Sequence, residues 1–194
     1  MAAMAGESKT PGARYSAVSI TLHWLIALLV VRQVLVGTRL DQLERTDPAR
    51  EWVLTMHFSL GWTILVLALI RLGWRLLNGA PPLPAAEPRW QRLLARTTHV
   101  LFYVVLIGMP LTGWGMVSAR PGPPPDVWWL MPWFDLPGAS ALPRGFLSRL
   151  HTEVLLKLLW VLLVLHIGGA LFGHFVRRDG TLWRMLPFGG RRVA

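Results

Sequence analysis

The chain contains no cysteine, which excludes disulfides, thiolate metal sites, iron–sulfur ligation and covalent c-type haem attachment. Charge is scarce as well. Only 15% of the 194 residues are charged, while 53% are hydrophobic and the mean hydropathy is positive. A soluble domain carries about 25% charged residues, so this balance belongs to a membrane protein. There is no Gly-rich nucleotide-binding motif, which argues against hydride-transfer chemistry on a dinucleotide. Acidic residues number ten against twenty basic ones, for a net charge of +10. Such an excess ordinarily raises nucleic acid as a partner. Here the basic residues flank apolar runs, where they control topology, and no nucleic-acid partner is expected.

What is present is four long apolar runs, at about 17–38, 52–74, 93–117 and 150–176. Each is continuous rather than alternating, which predicts membrane-spanning helices and not barrel strands. The expected fold is an all-α membrane protein, a four-transmembrane-helix bundle forming a single domain over 1–194. The first run follows a short, weakly basic leader and is too long for a signal-peptide core, so it is expected to act as an uncleaved signal anchor.

Orientation follows from the basic residues. Lys9, Arg14, Arg71, Arg75, Arg89, Arg92, Arg96, Arg177, Arg178, Arg184, Arg191 and Arg192 share one side with only Glu7, Glu87 and Asp179. The other side holds six arginines balanced by six carboxylates. The positive-inside rule then puts both termini in the cytoplasm.

With cysteine absent, the six histidines are the leading soft ligands. His151 and His166 share the last span. Fifteen residues separate them by about 22 Å along the axis and about 60° around it, so both can face one interior. Depth pairs His57 with His151 near the outer surface and His23 with His166 nearer the inner one. Two neutral imidazoles at equal height on facing helices, within apolar walls, suit the axial ligation of a b-type haem. A two-histidine site with no nearby carboxylate is a poor zinc site. The candidate metal ligands are therefore His23, His57, His151 and His166, for two haem b groups.

His99 or His174 could replace a ligand at the inner centre. His174 also reads as a proton donor or quinone contact, or simply as a solvated interfacial residue. Arg71 lies about 21 Å down its helix from His57 and about 40° round it, placed to pair with an inner haem propionate. Arg32 could serve an outer propionate or snorkel to the surface. In the loop at 120–149, Trp128, Trp129 and Trp133 suit an interfacial lid resting on the outer leaflet.

The chain resembles the prokaryotic cytochrome b561 family. The resemblance rests on Leu22-His23-Trp24, on His57-Phe-Ser-Leu-Gly-Trp through Ile70-Arg71-Leu-Gly-Trp-Arg75, on His99-Val-Leu-Phe-Tyr with Met109-Pro-Leu-Thr-Gly-Trp114, and on His151 through His166, His174-Phe and Arg178-Asp-Gly-Thr-Leu to Pro187. It covers nearly the whole chain apart from the outer loops. The family pattern often has a His-His pair where this chain has Gly173-His174. The resemblance implies two b haems held by those four histidines in the bacterial inner membrane. Trp24, Arg71 and His174 complete the candidate cofactor-binding residues. The resemblance further implies a superoxide oxidase activity, in which superoxide gives an electron at the periplasmic haem and ubiquinone is reduced on the cytoplasmic side. The competing expectation is a non-catalytic cytochrome b subunit of a membrane dehydrogenase or hydrogenase, receiving electrons from a periplasmic donor docked on the Trp-rich loop.

Overall fold

A computed structural model describes residues 14–79, 81, 88–180 and 182–188. Most of the Pro- and Ala-rich connector between the second and third spans lies outside the described residues, as do Lys9, Arg191 and Arg192. Four helices are long and apolar enough to cross a membrane: α1 (Ala17–Gln42), α2 (Ala49–Asn78), α3 (Arg89–Ser118) and α4 (Arg144–Arg177). Each contains the span expected from hydropathy and runs roughly one to two turns past it at one or both ends. Hydropathy marks only the lipid-facing stretch, whereas the backbone must stay hydrogen-bonded until it reaches water.

Local chemistry sets the helix ends. Ser16 caps α1 by accepting from the Ser19 N–H, and Asp47 accepts from the Ala49 N–H at the start of α2. Gly79 ends α2 at φ +65°, in the left-handed region open to glycine. Arg50 donates to the Leu40 and Leu43 carbonyls at 2.8 and 2.7 Å, satisfying orphan acceptors where α1 ends and tying α1 to α2. α3 carries Pro110 in its interior, which removes one hydrogen bond from the ladder. α4 is not a uniform α-helix, since Leu150–Leu155 and Gly173–Arg177 are π-helical. Such one-turn widenings are frequent at functional sites, and each here contains a histidine, His151 and His174.

The helices pack in chain order, α1 on α2, α2 on α3 and α3 on α4. Among the described residues, no Cα of α1 or α2 comes within 8 Å of a Cα on α4. Directly packed helices have axes 8–10 Å apart, so a wider seam runs between α4 and the α1–α2 pair. Across its middle, Val30 and Val34 of α1 meet a cluster of Val105, Leu155, Leu159 and Leu162. Outward faces remain apolar and exposed, as at Leu28, Val31, Val104, Val164 and Ile167. Lipid accepts such a surface and water does not.

The two ends of the bundle differ. At the loop end, residues 120–143 fold over α2 and α3. The Trp128 N–H donates to Ser59 Oγ at 2.7 Å and its indole N–H to Thr63 Oγ1 at 3.2 Å. Trp114 donates to the Phe134 carbonyl at 2.9 Å, and Trp133 packs among Trp62, Trp114 and Phe134. Of the three tryptophans expected to rest on the lipid surface, Trp133 is half-buried against the bundle, while Trp128 and Trp129 keep 37% and 44% of their surface exposed. Leu130 points away most fully, 86% exposed, and Met131 and Phe134 are exposed beside it. At the opposite, terminal end, residues 182–188 lie across the start of α1. Tyr15 N–H donates to the Arg184 carbonyl, Arg14 to the Leu186 and Pro187 carbonyls, and Trp24 to the Met185 carbonyl at 2.8 Å.

Candidate functional site

The seam contains two levels of histidine. At the loop-end level, His57 of α2 faces His151 of α4 with ring centres 6.2 Å apart. At the terminal-end level, His23 of α1 faces His166 of α4 at 5.9 Å. Both are the pairs expected from depth, and both cross the seam in which backbones stay apart. His99 of α3 joins the second level, 5.5 Å from His166, so three histidine rings gather there with His166 between the other two. Between the levels lies the apolar layer of Val30, Val34, Val105 and Leu162.

These residues fit a flat macrocycle ligated on both faces. Two imidazoles binding one metal from opposite sides, with metal–nitrogen bonds of about 2 Å, bring ring centres to ~6 Å. The seam provides the width, and glycines provide the depth at the loop-end level. A Cβ on Gly37 would lie 3.0 Å from His57 Cε1, and one on Gly113 would lie 3.3 Å from His151 Cε1. Side chains at either position would push the rings out of place. His57 Nδ1 is buried with no hydrogen-bond partner among the described residues. His23 meets His166 across the seam, whereas His99 stands on α3, the helix that packs directly on α4, which favours His23 as the second face at that level.

Polar side chains of the bundle hold the loop-end pair. Gln33 of α1 donates to the His57 carbonyl at 3.0 Å, and its amide nitrogen sits 3.2 Å from His57 Nε2. Thr112 Oγ1 lies 3.0 Å from His151 Nδ1. Neither residue stands out in the sequence reading. The signal for Gln33 is an uncharged polar residue within an apolar span, and for Thr112 its place directly before a glycine.

The remaining expected site residues divide. Arg71 reaches the terminal-end level, donates to the Ser19 carbonyl at 2.5 Å, and lines a small recess with Tyr15, Arg75 and Tyr103. Trp24 packs edge-on against His23 at 5.4 Å, but its indole N–H is committed to Met185. His174 contacts Phe175 and Trp183, beneath the returning terminal segment, and lies apart from the three-ring cluster. Arg32 is exposed, with Met56 Sδ 3.5 Å from its guanidinium. At the loop end an open cavity of about 490 Å³ is lined by Glu51, Thr55, Arg120, Asp126 and Trp129, with an Arg120–Glu51 ion pair of 3.1 Å.

Comparison with known proteins identifies the family. The family model described as prokaryotic cytochrome b561 matches residues 14–188. "Cytochrome b561 homolog 2" of Escherichia coli (strain K12) is 32% identical over 177 residues, covering 89% of this chain and 91% of its own length. "Probable superoxide oxidase CybB" of Yersinia pestis is 28% identical over 178 residues, covering 90% and 96%. "Cytochrome b562" of Cereibacter sphaeroides is 25% identical over 186 residues, covering 92% and 98%. With four membrane-length helices, a histidine-lined seam and this match over nearly its whole length, the chain belongs to the prokaryotic cytochrome b561 family, multi-pass electron-transfer proteins of the bacterial inner membrane that carry b-type haem.

Proposed function

We propose that the protein is a dihaem superoxide oxidase, moving electrons from periplasmic superoxide to ubiquinone. The observation that carries the dihaem part is the pair of facing imidazoles at each of two levels, His57 with His151 and His23 with His166, at 6.2 and 5.9 Å. A b-type haem bound at each level supplies one-electron chemistry between ferric and ferrous iron. Arg71, with Arg75 and Tyr103 beside it, is positioned to pair with a haem carboxylate at the terminal-end level. The charge bias of the chain supports a cytoplasmic terminal end and a periplasmic loop end.

The net reaction balances as two superoxide anions, one ubiquinone and two protons giving two dioxygen and one ubiquinol. Oxidation belongs at the loop end, and proton uptake at the terminal end. His174 stands there under the terminal segment as the candidate proton donor or quinone contact. The superoxide part leans on the name of the Yersinia pestis relative.

One observation favours a second reading. The loop-end cavity carries Glu51 and Asp126 beside Arg120, a mixed surface that does not single out a small anion. A protein donor docking there would make the chain the electron-transfer subunit of a membrane dehydrogenase or hydrogenase. Rapid mixing of the oxidised protein with superoxide, followed at the haem bands with and without ubiquinone, separates the two. Fast reduction with quinone-dependent reoxidation supports the enzyme. Haem that stays oxidised with superoxide yet accepts electrons from chemical reductants supports the subunit.

A further inference from the structure

We infer that Thr112 is a positioning residue for the loop-end centre, setting which nitrogen of His151 is free to bind metal. This rests on the reading of that centre as a haem site.

Thr112 Oγ1 lies 2.8 Å from the Gly108 carbonyl and 2.9 Å from the Met109 carbonyl, the back-bonds a threonine makes one turn up its own helix. A hydroxyl owns a single hydrogen, and a carbonyl oxygen can only accept. The hydrogen of Thr112 is therefore spent within α3. Toward His151 Nδ1, 3.0 Å away, Thr112 Oγ1 can act only as acceptor. Nδ1 must carry the imidazole proton, which leaves Nε2 with an open lone pair.

A ring nitrogen bonded to an oxygen while the other ligates is the arrangement that orients metal-binding histidines and raises their basicity. The fit depends on the next residue. Gly113 lets the ring approach α3, since a Cβ there would stand 3.3 Å from His151 Cε1. The hydroxyl is buried along with the rest of Thr112, 9% exposed, so water does not compete for the bond. The opposite imidazole has no equivalent. His57 Nδ1 is buried without a partner among the described residues, and a Gln33 N–H faces its Nε2. The centre is thus tuned from the α4 side.

The test uses Thr112→Val, which removes the hydroxyl at nearly constant shape, and Thr112→Ser, which keeps it. Redox titration of the purified holoprotein should show the loop-end haem midpoint shifted upward in Thr112→Val, with an altered low-spin ferric EPR signal and the other haem unchanged. Thr112→Ser should restore both. In haem-free protein, nitrogen NMR of the His151 ring should show the proton on Nδ1. An unshifted midpoint and EPR signal in Thr112→Val, or a proton on Nε2, overturns the assignment. A wild-type protein that binds no haem at the loop-end level would sink the haem reading, while the NMR measurement would still judge the tautomer.

Discussion

The rings of His57 and His151 face each other 6.2 Å apart, although the helices that carry them keep every Cα beyond 8 Å of one another. Side chains alone bridge this gap, so each imidazole is set by its own helix and neighbours. The two levels should therefore be separable by mutation. His57→Ala or His151→Ala should halve the haem content and remove the loop-end haem, leaving the terminal-end haem spectrum intact. Haem-to-protein ratio with a redox titration checks this.

His99 is the third ring at the terminal-end level, 5.5 Å from His166 on a helix that packs directly against α4 rather than across the seam. His99→Ala should keep two haems, measured by the same ratio. A single-haem product would assign His99 as a ligand in place of His23.

Arg71 brings a cation to the terminal-end level. A nearby positive charge favours the less positive ferrous state, so Arg71→Gln should lower the midpoint of that haem and spare the other. Equal shifts at both levels would remove Arg71 from its assigned place.

The glycines make a sharper claim. Gly37→Ala places a methyl group 3.0 Å from His57 Cε1 and should displace the ring, weakening haem retention at the loop end. A methyl group at Gly168 meets nothing within 4 Å among the described residues, so Gly168→Ala should leave both haems as they are. Haem retention under detergent washing distinguishes them.

The loop-end cap hangs on a buried bond. Ser59, fully buried, accepts the Trp128 N–H at 2.7 Å. Ser59→Ala leaves that donor unsatisfied and should cost about 1–3 kcal/mol. Faster proteolysis within 120–143 and a lower Tm in detergent are the expected readouts.

The histidine pairing was legible in the sequence because helix geometry converts residue number into depth. Fifteen residues between His151 and His166 set two levels, and the positions of His57 and His23 in their spans supply a partner at each. Span length and apolarity likewise determined four membrane helices, since lipid leaves the backbone no alternative but internal hydrogen bonds. Even the π-helical stretch holding His151 does not undo this, as one widened turn shifts a residue only slightly in height.

What faces what around the helix axes was not legible. The partners Thr112 and Gln33, and the inward turn of Trp133, depend on helix rotation and on how a long loop folds, and both follow from packing among several elements at once. Hydropathy cannot tell a tryptophan that meets lipid from one that meets another tryptophan, because both environments are apolar. Composition and spacing alone therefore determined the bundle, its two levels and their four leading histidines. Only the tertiary structure decided the open seam, that His99 rather than His174 joins the terminal-end level, and that a threonine hydroxyl lies beside His151, because these depend on contacts between residues far apart in the chain.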